Sequence, residues 1–224
     1  MKLNQIAAVI IAGLTVSVAS GQGTLNFRGL NEVQFNAAGD TFQLNPGAGS
    51  SAAPQFTFTG ADSGLTGWIT GAPWAVNLAS LTSATGGGLT YQQAAVVGGG
   101  QLNIFDGVNT LTGNLAWMKI HLLSNGQGGL ADSLAVNLSG MVYNGANADL
   151  RALATDGSGN LNVTFQFSGV TPTLASLFNG TTTASFSGAI SRAPEPSTLT
   201  LLLLPMIFGA VRLWRKRMPA AACD

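Results

Sequence analysis

Leu161-Asn162-Val163-Thr164-Phe165-Gln166-Phe167-Ser168 alternates apolar and polar residues without a slip. Successive side chains of an extended backbone point to opposite faces. Leu161, Val163, Phe165 and Phe167 therefore share one side, and Asn162, Thr164, Gln166 and Ser168 the other. A period of two predicts a strand with one face buried and one wet. The wet face here is built from amides and hydroxyls and carries no charge.

The same pattern recurs on either side. Phe56 and Phe58 alternate with Thr57 and Thr59, and Leu134, Val136 and Leu138 with Ala135, Asn137 and Ser139. Phe27, Val33 with Phe35, and Phe42 with Leu44 fit shorter strands. Turn clusters separate the runs: Asn45-Pro46-Gly47, Gly86 to Gly88, Gly98 to Gly100, Asn125 to Gly129, Asn144-Gly145 and Gly157 to Asn160. Glycine supplies positive φ in such turns and asparagine tolerates it. Many short strands at this spacing predict an all-β domain over residues 21–193, an antiparallel β-sandwich or jelly-roll-like fold. Ala148 to Thr155 fits a short helix as well as a strand.

Composition narrows the function classes. The chain has 224 residues, of which 46% are apolar and only 8% charged, with nine basic and nine acidic residues. An average soluble domain carries roughly 25% charged residues. A net charge of zero disfavours a nucleic-acid binder. One cysteine and one histidine leave no internal disulfide and no Cys/His zinc site, so neither metal nor cofactor is expected. The zero is a sum over unlike segments. Residues 1–20 carry +1 from Lys2; residues 21–193 carry −3, from four basic and seven acidic groups; residues 194–224 carry +2.

The two ends read as addresses. Residues 1–20, MKLNQIAAVIIAGLTVSVAS, place Lys2 before an apolar run from Ile6 to Val18, with small residues at Ala19 and Ser20. That is the layout of a signal peptide handled by the Sec translocon and signal peptidase, with cleavage near Ser20–Gly21. At the other end, Pro194-Glu195-Pro196-Ser197 precedes an apolar run from Leu199 to Val211, closed by Arg212, Arg215, Lys216 and Arg217. The two prolines hold the backbone extended and open to an enzyme. The apolar run reads as one C-terminal transmembrane helix, and the basic cluster holds its end on the cytoplasmic side. As a helix the run is only ~20 Å long, against a ~30 Å hydrocarbon core. It suits a temporary hold better than a permanent anchor. A GPI-anchor signal would end apolar and has no such basic cluster; a simple type I membrane protein is the other reading.

Residues 194–217 resemble the PEP-CTERM sorting signal of Gram-negative exported proteins, in which Pro-Glu-Pro precedes a hydrophobic helix and an arginine-rich end. The resemblance covers about two dozen residues. It implies recognition of Pro194, Glu195 and Pro196 by exosortase, a multi-pass membrane cysteine protease. It also implies transient residence in the inner membrane, then release to the cell surface or the extracellular matrix of a bacterium that makes exopolysaccharide and biofilm. The family's tail usually stops at the basic cluster, whereas here Met218 to Asp224 follow as a short cytoplasmic extension. Cys223 would be discarded with it.

Candidate chemistry in the middle is sparse. Ala116, Met118, Ile120 and Leu122 alternate with Trp117, Lys119 and His121. A regular strand would set that indole, ammonium and imidazole on one polar face, a platform for a sugar ring and its hydroxyls. Trp68 and Trp74, flanking Gly71-Ala72-Pro73, are candidates for the same platform. Asp156-Gly157-Ser158-Gly159-Asn160 resembles the opening of a calcium loop but lacks the closing glutamate, since Phe167 stands at position 12; a turn is the expected reading. No Gly-x-Ser-x-Gly elbow is present, and His121 would have to serve any triad alone. The sequence therefore points to a structural, exopolysaccharide-linked exported protein, with a carbohydrate-binding module as the alternative and a secreted hydrolase as the weakest reading.

Overall fold

A computed structural model describes residues 24–124, 132–155, 157–167 and 173–192. The expected signal peptide, the expected sorting motif with its apolar run and basic cluster, and Asp156 lie outside the described residues. Twelve strands occur among the described residues: β1 (Thr24–Gly29), β2 (Val33–Asn36), β3 (Thr41–Leu44), β4 (Phe56–Phe58), β5 (Thr66–Thr70), β6 (Trp74–Gly86), β7 (Leu89–Val97), β8 (Gly99–Phe105), β9 (Thr110–Ser124), β10 (Asp132–Val142), β11 (Ser158–Gln166) and β12 (Thr181–Arg192). A helix, α1 (Ala148–Thr155), connects β10 to β11, so the ambiguous stretch is helical. Asn147 caps it, its Oδ1 accepting the backbone N–H groups of Asp149 and Leu150 at 3.0 Å.

The ladders close on themselves. β1 and β2 pair in succession along β12, and β8 and β7 along β9. β4 follows β1 and pairs β5; β3 follows β2 and pairs β6. Counting each collinear pair as one stave gives eight antiparallel staves in a ring, β9, β10, β11 and β12 completing it. Each stave pairs with its neighbours in sequence, and the last returns to the first through Thr24↔Ser191 to Arg28↔Ser187. The all-β antiparallel expectation is met. The path is an up-and-down meander, so the Greek-key crossing of a jelly roll does not occur among the described strands. Opposing walls of the ring pack against each other through one apolar core, which gives the fold its sandwich-like interior.

Eight staves enclose just enough space for side chains to fill, and the sequence supplies them. Phe35, Phe42, Phe56, Trp74, Leu102, Ile104, Leu111, Val163 and Phe165 are all fully buried in a single cluster. Phe35 packs edge-on to Phe165 at 5.5 Å and Phe42 against Trp74 at 5.4 Å. The alternation of Leu161 to Phe165 reads directly into this core. Gly188 on β12 is demanded by packing: a Cβ there would lie 2.1 Å from the Asn162 carbonyl oxygen and 2.4 Å from the Phe27 ring.

Candidate functional site

The sequence expectation for Trp117, Lys119 and His121 is overturned by one residue. On β10, Ala135 faces Lys119 and Val136 faces Trp117, so Met118 is an extra residue with no partner. A one-residue bulge reverses the side-chain parity beyond it. Trp117 consequently turns inward with Leu115, Ile120 and Leu122, while Met118 is 48% exposed and Lys119 and His121 face out. Trp117 is 7% exposed and sits 4.5 Å from Trp74, itself fully buried. The Trp74 indole N–H donates to the Gly99 carbonyl at 2.9 Å; that of Trp117 has no partner. Trp68 is half-buried on β5. The three indoles form no common exposed platform.

His121 instead pairs with Tyr91 on β7. Their rings stack at 5.6 Å, and a hydrogen bond joins the Tyr91 hydroxyl to His121 Nδ1. Partial burial, then the Lys119 ammonium, hold the imidazole below its ordinary pKa, so it is neutral at pH 7. This spot is small and its aromatic ring is engaged by the imidazole.

Acidic groups come together in two places that sequence reasoning missed. Tyr143 donates its hydroxyl hydrogen to Asp106 and accepts the Asn147 backbone N–H at 3.0 Å. Asp106 also accepts the N–H groups of Val108 and Asn109. The Tyr143 bond, first, and these backbone bonds hold Asp106 below the usual carboxylate range. The cluster locks the β8–β9 turn to the start of α1, with both Asp106 carboxylate oxygens and the Tyr143 hydroxyl engaged in structure. Asp62, on the 3-10 turn between β4 and β5, meets Asp149 in the first turn of α1. Burial and then the Asp149 carboxylate raise the Asp62 pKa. Among the described residues, no three His, Cys, Asp or Glu side chains gather as a metal site, and no helix is long and apolar enough to cross a membrane.

The Asp62–Asp149 contact has a measurable consequence. A carboxyl whose pKa rises on folding favours the native state at low pH, and that contribution is lost as pH climbs through the folded value. Asp62→Asn is therefore expected to stabilise the fold at neutral pH by a fraction of a kcal/mol, since the pair is open to solvent. Below pH ~3.8, the ordinary value, the gain should vanish. Urea midpoints of both proteins at pH 7 and pH 3 check this.

A further functional candidate is the outer wall of β1, β12 and β11. Cross-strand rows set Thr24 beside Ser191 and Asn160, Asn26 beside Ala189 and Asn162, and Arg28 beside Ser187 and Thr164. Arg28 is the one charge on these rows. Between the strands lies a shallow depression of about 320 Å³, flanked by Asn26, Asn162, Thr164 and Ser187 over Gly188 and Ala189. Those four flanking side chains make no hydrogen bond to another described residue. Each amide offers two donors and an acceptor, and each hydroxyl a donor and two acceptors. The lining of the depression is uncharged, so it matches ligand hydroxyls without selecting for charge, and its small-residue floor lets a flat ring approach the backbone. No protein-family model matches the chain, and no curated protein or solved structure shows significant similarity to it.

Proposed function

We propose that this chain is an exported protein of the cell surface or extracellular matrix, delivered through its Pro194-Glu195-Pro196 motif by exosortase and working in contact with exopolysaccharide. Two kinds of feature support the reading. The ends carry an export signal and a sorting tail. The domain between them offers an amide-and-hydroxyl depression at which the side chains of Asn26, Asn162, Thr164 and Ser187 make no hydrogen bond to another described residue, and this is the observation that carries the reading furthest. The interior is filled by aromatic and aliphatic side chains, so contact with a partner falls to the outside. A binding module built on an aromatic platform is the weaker alternative, because Trp74 and Trp117 are spent on the core. We assign no catalytic role to any residue.

Co-sedimentation with the producing organism's exopolysaccharide tests the wall. Asn162→Glu with Ser187→Glu places two carboxylates at the depression, on outward-facing positions that leave the core untouched. Retention is expected to fall about tenfold, equivalent to ~1.4 kcal/mol. Lys119→Ala and His121→Ala are expected to leave it unchanged. Equal retention by the wall variant and the native chain would remove the wall from the account.

A further inference from the structure

The ring of staves has a seam. β3 meets β6 at only two positions, Thr41↔Ala75 and Phe42↔Trp74. Past the seam β6 runs on to Gly86 and pairs β7 alone. Its path is broken once, between Asn77 and Thr82, where Ser80 Oγ accepts the Ala95 N–H at 2.8 Å and Asn77 Oδ1 the Ala79 N–H at 3.1 Å. Beyond this bulge, Thr82 to Gly86 are exposed on both faces, so the hairpin stands clear of the core.

The turn fixes which backbone groups remain free. Gly87 and Gly88 have φ of 60° and 78°, the positive pair of a two-residue type I′ turn. The residues flanking such a turn, Gly86 and Leu89, exchange hydrogen bonds. Antiparallel alternation then makes Ala84–Tyr91 and Thr82–Gln93 the next bonded pairs. Ser83 and Thr85 therefore point their N–H and C=O groups away from β7. No described strand or loop takes those groups.

Protein edges of this kind are normally guarded by charge, proline or a bulge. Here no charged residue occurs between Asp62 and Asp106, and the bulge lies upstream of the free stretch. We propose that this edge pairs with the same edge of a second copy of the chain. The two segments run antiparallel across a twofold axis. Ser83 of one copy exchanges backbone hydrogen bonds with Thr85 of the other, and Ala84 faces its twin on the axis. A twofold contact is self-complementary, and neutral edges meet without like-charge repulsion. The register uses both outward-facing residues and stops short of the turn at one end and the bulge at the other. So short a contact is weak and concentration-dependent. It would add lateral links wherever copies are crowded, and it does not depend on tail processing or on polysaccharide binding.

Disulfide trapping in the full chain, kept in detergent with its tail, tests the pairing. Cys223→Ser removes the only native cysteine. In that background Ala84→Cys sits at a non-hydrogen-bonded pair, where Cα atoms approach to ~4.5 Å, within disulfide range. It is expected to give a covalent dimer under mild oxidation, whereas Ser187→Cys on the outer wall stays monomeric. The wall position also reports any proximity imposed by the tail alone. Adding Thr85→Pro removes an outward N–H without touching the β7 ladder, and is expected to abolish the dimer with the circular dichroism spectrum unchanged. Ser83→Lys, which brings a cation to each copy, is expected to do the same. A monomeric Ala84→Cys, equal trapping at Ser187→Cys, or trapping that survives both edge variants in folded protein would overturn the proposal.

Discussion

Trp74→Ala is expected to cost the fold about 3–5 kcal/mol, the range for deleting a buried aromatic side chain. Trp74 is the largest fully buried side chain among the described residues, lying at the seam between β3 and β6. It contacts Phe42 and Trp117, and its indole N–H satisfies the Gly99 carbonyl. Alanine would remove the packing and leave that carbonyl with one partner fewer. Against a total stability of roughly 5–15 kcal/mol, urea unfolding should show a midpoint lowered by about a fifth or more. Trp117→Phe is the informative contrast. Its indole N–H is buried and unpartnered, so its removal deletes an unsatisfied donor, and the change is expected to be near neutral. Equal losses for Trp117→Phe and Trp74→Ala would contradict these roles.

Gly188→Ala is the second large effect, of about 3 kcal/mol, at the upper end of what overpacking usually costs. The added methyl would meet the Asn162 carbonyl oxygen at 2.1 Å and the Phe27 ring at 2.4 Å. The ring has limited room to move, since Phe56 stands 4.7 Å and Phe58 6.1 Å from it. The carbonyl belongs to the neighbouring strand, so relief requires β11 and β12 to separate beside the outer-wall depression. The variant should therefore lose stability and polysaccharide retention together, whereas Asn162→Glu with Ser187→Glu should lose retention alone. Thermal melts read beside co-sedimentation distinguish the two.

Local pattern carried the strands and much of the core. Phe27, Phe35, Phe42, Phe56, Phe58, Val163 and Phe165 are buried where their alternation places them, because a half-buried strand needs no distant information to choose its face. Trp117 shows the limit. Its orientation depends on an extra residue opposite β10, a register set by strand pairing and not by the residues around it. Closure of the ring is equally non-local: it rests on β1 meeting β12 and on two pairs between β3 and β6. The amide-and-hydroxyl wall was visible as composition, but its position was not, because three strands from opposite ends of the domain build it. Asp62 and Asp149 are joined by the same kind of long-range contact. The proposed sorting tail is the reverse case, since Pro194 to Arg217 is read wholly from its sequence.

Intact mass of the protein recovered from an exosortase-bearing, exopolysaccharide-producing host tests the central claim most directly. The expected species begins near Gly21 and ends within Pro194 to Ser197, so it lacks Leu199 to Asp224 and carries no cysteine. Recovery of the protein from that host with Leu199 to Asp224 still attached would contradict it.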